Sequence, residues 1–392
     1  PRALKVYQAV ARATDDSIAA PAAMRAAMLS YDLKKATSAQ TLATLDSLRF
    51  RWRGDDTEMK LINNMGSLYL SQGRYREALI VLKSGGQSFM GDPQSVQIQT
   101  TLNQAFRGLF LGGMADGLQP VEALGLFNDF KELTPIGPDG DEMVRRIVRR
   151  LVDVDLLDQA ADLLEYQVSH RLDGVAKSSV AADLAAIYLM NHDPQKALQA
   201  LWNTRTTLLP KSVMAERRVL EARALNELNA PDKALDVLGN DNSPDAQDIR
   251  ADIFWNRQDY AHAGAILEKR LGDRWKSDAP LALADEGRLL RAAIAYSLQK
   301  DQPSLTRLST RYGKFSETAS SSDAIRVALA PLDGGSLSAR DFAASTAATD
   351  SFTGWVTSRK KKFREKDDAA AKAAANTPKP PTTAPSMSPR ST

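Results

Sequence analysis

Three observations predict an all-α chain built from consecutive helical hairpins. Apolar residues recur at three- and four-residue steps, as in Ile62, Met65, Leu68 and Tyr69 and again in Tyr75, Ala78, Leu79 and Leu82, so each set forms a stripe along one helix face. A small residue followed four positions later by a large apolar one returns along the chain, at Ala78/Leu82, Ala123/Phe127, Ala160/Leu164, Ala197/Leu201, Ala234/Leu238 and Ala263/Leu267. The gaps between these copies are 45, 37, 37, 37 and 29 residues, the repeat length at which hairpins stack to share one continuous core. Turn-forming residues separate the stripes, beginning with Gly73, which can take the positive φ that ends one helix and redirects the chain.

Taken in order, the register starts early. Ala3/Tyr7 and Thr41/Leu45 extend it upstream at gaps of 38 and 37. Glu58 to Leu82 is the best-formed copy. Small side chains at Gly66 and Ala78 let two helix backbones approach, and Tyr69 and Leu82 fill the space beside them. The stretch from Ala181 to Leu201 repeats the arrangement with Leu184, Ala185, Tyr188, Ala197 and Leu201, and Ala246 to Leu267 repeats it with Ala251, Phe254, Tyr260, Ala263 and Leu267. The unit between them, Arg223 to Leu238, is weaker because Glu221 and Leu225 replace the usual apolar and aromatic residues, yet Asn229 to Asp232 supplies a turn.

The landmarks Met65, Gly66, Tyr69, Gly73, Tyr75, Ala78 and Leu82 have the spacing of a tetratricopeptide (TPR) repeat, and the chain resembles a TPR-like α-solenoid protein. The resemblance implies a right-handed α-solenoid of about seven to nine helix-turn-helix repeats over residues 1–312, clearest at 58–90, 181–210 and 246–270. It also implies a non-enzymatic scaffold that holds a peptide or helix of a protein partner in a concave groove, within a bacterial assembly.

Two interruptions fall inside the repeats. Between Gly85 and Gln119 there are seven glycines and a proline, which we read as a longer loop and a glycine-rich helix serving packing or hinge geometry. A nucleotide site is not indicated, since neither a GxxxxGK[ST] nor a GxGxxG pattern occurs there. Thr134 to Glu142 (TPIGPDGDE) reads as a turn followed by an Asp141 helix cap. Its acids lack EF-hand spacing.

Beyond Gly313 the pattern fades. Residues 313–358 read as an irregular helical cap over the last hairpin: a short helix from Ser322 stopped by Pro331, a loop at Asp333 to Ser336, and one or two helices from Phe342 to Trp355 with Trp355, Val356 and Phe363 on the buried side. Residues 359–392 read as a basic, Pro/Ala/Thr-rich disordered tail. The chain's net charge of +3 comes from this tail, which carries nine Lys and Arg against three acids. Contact with nucleic acid or an anionic membrane is therefore expected only through RKKKFREK, residues 359–366, against the alternative of a solvated helix end.

In TPR proteins the first helix of each hairpin lines the groove. Carried onto this sequence, that rule selects Lys60, Asn63 and Asn64, then Arg145, Arg146 and Arg149, then Arg223 and Asn226, then Trp255 and Asn256. The Met143 to Val152 segment adds an amphipathic pattern of its own, with arginines in adjacent rows and Val144, Ile147, Val148 and Leu151 behind them; it reads as an acidic-peptide or phosphate contact, against the alternative of a solvated face paired with acids such as Asp153 and Asp155. The Lys and Asn set that clamps a chaperone's terminal carboxylate in some TPR domains does not fall into place across successive repeats.

No catalytic, cofactor or metal residues are assigned. His170, His192 and His262 are scattered and form no HExxH pair, no GxSxG elbow occurs, and cysteine is absent. No small-molecule substrate is indicated. The alternative is a regulatory or targeting module of a larger enzyme or envelope machine whose other part precedes Pro1. The opening inside a repeat leads us to expect a segment of a longer protein. The zero cysteine count favours a periplasmic or membrane-anchored bacterial setting over a cytoplasmic one, although the sequence contains no apolar run of the roughly eighteen residues a membrane span needs.

Overall fold

The computed structural model describes residues 2–52, 56–88, 95–330 and 352–366. Among them it is all helical, without strands. Two compact units divide the chain, Pro1–Met143 and Val144–Thr392. The first contains α1 (Arg2–Val10), α2 (Asp16–Asp32), α3 (Ser38–Arg51), α4 (Asp56–Ser71), α5 (Tyr75–Ser88), α6 (Ser95–Phe110) and α7 (Pro120–Asp129), and the boundary falls within α8 (Pro138–Asp153). The second continues with α9 (Leu157–His170), α10 (Gly174–Met190), α11 (Pro194–Trp202), α12 (Lys211–Glu227), α13 (Pro231–Leu238) and α14 (Pro244–Asn256). It ends with α15 (Tyr260–Leu271), α16 (Leu283–Leu298), α17 (Gln302–Tyr312), α18 (Ser322–Ala328) and α19, residues 352–366.

From α2 to α17 the helices form successive pairs, and each pair is joined through a residue of positive φ: Lys34, Gly73, Gly113, Asp155, His192, Asn229, Gln258 and Lys300. At all of these except Gly113, the following N–H bonds to the carbonyl five residues earlier, as from Arg74 to Tyr69, Asp193 to Tyr188 and Asp301 to Tyr296. This Schellman-type closure satisfies carbonyls that the helix end leaves unpaired. The next helix is then started by side chains suited to it. Asp193, Asp259 and Asp301 accept from the N–H of Lys196, His262 and Ser304, and Pro194 and Pro231 occupy first-turn positions.

Packing follows the predicted stripes. Both members of every small/large pair from Thr41/Leu45 to Ala263/Leu267 are buried. At Gly66 an added Cβ would lie 2.8 Å from Leu82 Cγ, so α4 and α5 can meet only because the side chain is missing. Within the first unit α2 touches α4 and α4 touches α6. Within the second α10, α12 and α14 do the same, so the first helices of successive pairs share one face. At the far end α15, α16, α17 and α18 enclose one core, including Leu267, Leu290, Tyr312, Phe315 and Ile325.

Several expectations are corrected. Ala3 is exposed, and Leu4 is the residue α1 buries, so the small/large register does not reach this helix. Asp141 does not cap α8. The helix starts at Pro138, whose fixed φ suits a first helical position, and Asp139 and Asp141 lie inside its first turn where the helix dipole favours acids. Gly85 and Gly86 lie within α5, and a Cβ on Gly85 would come within 2.9 Å of Ile62, which assigns Gly85 to packing. The loop expected near Gly91 and Pro93, and the one expected at Asp333 to Ser336, lie outside the described residues, as does 342–351. Residues 359–366, expected to open a disordered tail, are the second half of α19. The 367–392 part of that expectation lies outside the described residues.

Candidate functional site

The first helices of the later pairs carry carboxylates at positions where a single sequence gives no reason to connect them. Asp153 ends α8 and Asp155 forms the following turn. Asp183 lies on α10, Glu216 on α12, and Asp245, Asp248 and Asp252 on α14. All face elements of the second unit, and α19 lies against them.

A helix of 15 residues is marginal alone in water, so the contacts that seat α19 also sustain it. Five of its cations meet five carboxylates. Arg359 reaches Glu216 at 3.1 Å and Asp245 at 3.6 Å, Lys360 reaches Asp155 at 2.7 Å, and Lys362 reaches Asp245 at 2.6 Å. Arg364 pairs with Asp153 at 2.9 Å, and Lys366 lies between Asp183 at 2.5 Å and Glu216 at 3.4 Å. Lys361, exposed, pairs within its own helix with Glu365. Burial pushes the Asp183 carboxyl above its ordinary range, with the Lys366 ammonium opposing that rise.

The N-terminal half of α19 docks through rings. Phe352 stacks on His192 with centroids 4.6 Å apart, and Trp355 lies 3.8 Å from the Arg223 guanidinium, a cation–π geometry. The Arg359 guanidinium lies 5.8 Å from the same Trp355 ring and is almost fully buried. Gly354 permits this approach, since a Cβ there would lie 3.2 Å from Ala284 Cα. Phe352, Trp355, Arg359, Lys362 and Lys366 are spaced three and four residues apart, so the anchors share one face of the helix.

Beside Phe352 is a recess lined by Arg223, Asn226, Glu227, Trp255, Asn256 and Arg291. Four of the ten residues selected from the sequence therefore converge there: Arg223, Asn226, Trp255 and Asn256. Burial lowers the Arg223 guanidinium from its ordinary value and raises the Glu227 carboxyl, which lies 3.2 Å from Arg223 Nε. An adjoining cavity of about 180 Å³ is bounded by Arg270, Arg288, Asp248, Asp252, Trp355 and Ser358, among others. Asp248 there accepts from Arg270 at 2.9 Å and from Arg288 at 2.8 Å. Burial would raise its pKa, but these two guanidinium hydrogen bonds carry it below the usual carboxylate range.

The remaining six selected residues are not among those that line this recess or the adjoining cavity. Lys60, Asn63 and Asn64 lie on α4 in the first unit, where Lys60 pairs with Asp56 of the same helix and Asn63 and Asn64 are half-buried. Arg145, Arg146 and Arg149 are half-buried on α8, and none is without a partner. Sequence reasoning missed Asp183, Glu216, Asp245, Asp248 and Asp252, and read Asp153 and Asp155 only as partners for the arginines of α8. The only signal for them is the periodic cationic face of residues 359–366, whose complement is more than a hundred residues away. Among the described residues no His, Asp and Glu cluster could hold a metal ion, and no helix is long and apolar enough to cross a membrane.

No protein-family model matches the chain, and no curated protein matches it either.

Proposed function

We propose that this protein is a non-enzymatic interaction scaffold, a TPR-like right-handed α-solenoid that holds a helical segment of a protein partner along the first helices of its later repeats. The observation that carries the reading is α19, an amphipathic helix laid across α8, α10, α12 and α14 through five carboxylate contacts and an aromatic pair. A surface that seats one helix by its side chains has the chemistry for helix-in-groove recognition. The recurrent turn closure and the buried small/large pairs support the repeat assignment. Photo-crosslinking tests the reading. A benzoylphenylalanine at Asn226 or Asn256 should form a discrete adduct with a partner protein in the native cell, and one at Tyr166, outside the recess, should not. Adducts identical from all three positions, or none beyond the internal bond to α19, would sink the proposal.

A further inference from the structure

The groove's contents specify what it would accept. Rings at Phe352 and Trp355 occupy one end, a buried guanidinium at Arg359 fills the middle, and ammonium groups at Lys362 and Lys366 meet the far carboxylates. We infer that the groove is a receptor for a cationic, aromatic-anchored amphipathic helix of a partner protein, and that α19 occupies it in cis as that helix's competitor. This rests on the scaffold reading and adds to it both the partner's chemistry and a closed state.

Three facts carry the inference. The receptor side is acidic where α19 is basic, so an apolar or acidic helix would leave buried charge unpaired, whereas another cationic helix inherits the same pairs. The rings, Arg359, Lys362 and Lys366 share one face and Lys360 and Arg364 flank it, so a segment with rings at i and i+3 and cations at i+7, i+8, i+10, i+12 and i+14 reproduces the contacts. The ion pairs of Lys360, Lys362 and Arg364 are partly exposed, and such pairs contribute little each. Seating of α19 thus rests on a few buried contacts, Arg359 foremost, and a helix that offers the same contacts from another molecule can displace it. When the competent open state is a minority, apparent affinity falls by its fraction. Unseating α19 therefore raises affinity for an outside helix without altering the receptor.

The experiment uses the full chain and a fluorescent synthetic peptide with the sequence of residues 352–366. Gly354→Leu unseats α19 sterically against Ala284 and leaves every receptor carboxylate in place. Hydrogen exchange confirms that the remaining helices keep their protection. The expected result is peptide binding at least roughly tenfold tighter to Gly354→Leu than to wild type, steeply salt-dependent, and absent for a peptide with Glu at the positions of Arg359, Lys362 and Lys366. Equal, measurable binding to both proteins would overturn cis occupancy and leave the scaffold reading standing. No binding to either, with α19 shown to be released, would overturn both. A wild-type dimer at high concentration that the peptide dissolves would make a second copy the occupant and overturn the partner assignment. Binding of the variant to anionic vesicles without any gain for the peptide would make α19 a membrane ligand and overturn the proposal.

Discussion

Replacing Arg359 by alanine should release α19 while leaving its receptor intact. The guanidinium donates to Glu216 at 3.1 Å, lies 3.6 Å from Asp245, and faces the Trp355 ring at 5.8 Å. A hydrogen bond between charged groups contributes about 1.5–3 kcal/mol, and a partly desolvated cation–π contact about 0.5–1 kcal/mol. Together the loss is about 2–4 kcal/mol, or a population change of roughly 30- to 1000-fold. Native-state hydrogen exchange reads it directly, because amides of residues 356–366 report the opening of α19. Their protection should fall by that factor or to the rate of free peptide, with α10 and α12 unchanged. Arg359→Met keeps the aliphatic stem and should fall nearly as far, since packing is the smaller part. Unchanged α19 protection, or an equal loss in α10 and α12, would refute the claim that this side chain seats a separable helix.

Other perturbations test the scaffold. Leu82→Ala should cost about 2–5 kcal/mol in urea unfolding, and adding Gly66→Ala should cost less than in the wild-type background, because the new methyl enters the space that Leu82 leaves. Lys300→Gly should stabilise by about 0.5–1 kcal/mol by relieving a left-handed backbone, whereas Lys300→Val should destabilise, both read from thermal midpoints. The pH dependence should trace to Asp248: its pKa is depressed in the fold, so its contribution is full above the ordinary carboxylate range, about 3.9, and is lost as acid carries pH down through the folded value. Asp248→Asn should flatten that acid limb in urea melts run between about pH 5 and pH 2. Arg217 donates to the carbonyls of Ser178 at 2.6 Å and Leu201 while buried, so Arg217→Met should cost about 1.5–3 kcal/mol from the lost charged hydrogen bonds, measured by chemical denaturation.

The helices and their order were legible because their information is local. Ala78/Leu82 and its later copies mark a helix-helix contact within a few residues of sequence, and they are buried where the spacing predicts. The turns were legible only where glycine or asparagine stood. Lys34, Asp155, Gln258 and Lys300 adopt the same left-handed closure with side chains that carry no such signal, because the flanking helices impose the geometry. Ala3 fits the spacing yet is exposed, since a two-residue pattern contains no statement of which face a neighbour covers. Of the site, Arg223, Asn226, Trp255 and Asn256 could be found from positions on first helices. Asp183, Glu216 and Asp245 could not, because their partners lie 117 to 183 residues away and single-sequence reading has no measure of such pairing.

Asp155 and His192 are each the left-handed residue of a turn and also a contact of α19, with Lys360 and Phe352 respectively. The chain's electrostatic appearance depends on the same helix. Its isoelectric point of about 8.9 describes titratable groups as though all were equally visible to the solvent, but seated α19 places most of its cations against carboxylates, as local dipoles whose fields cancel within a Debye length of roughly 8–10 Å. Unseating it changes no net charge and separates the two signs into a basic rod and an acidic trough. Cation-exchange retention, at a fixed pH and unchanged composition, then becomes a measure of whether the helix is in its groove.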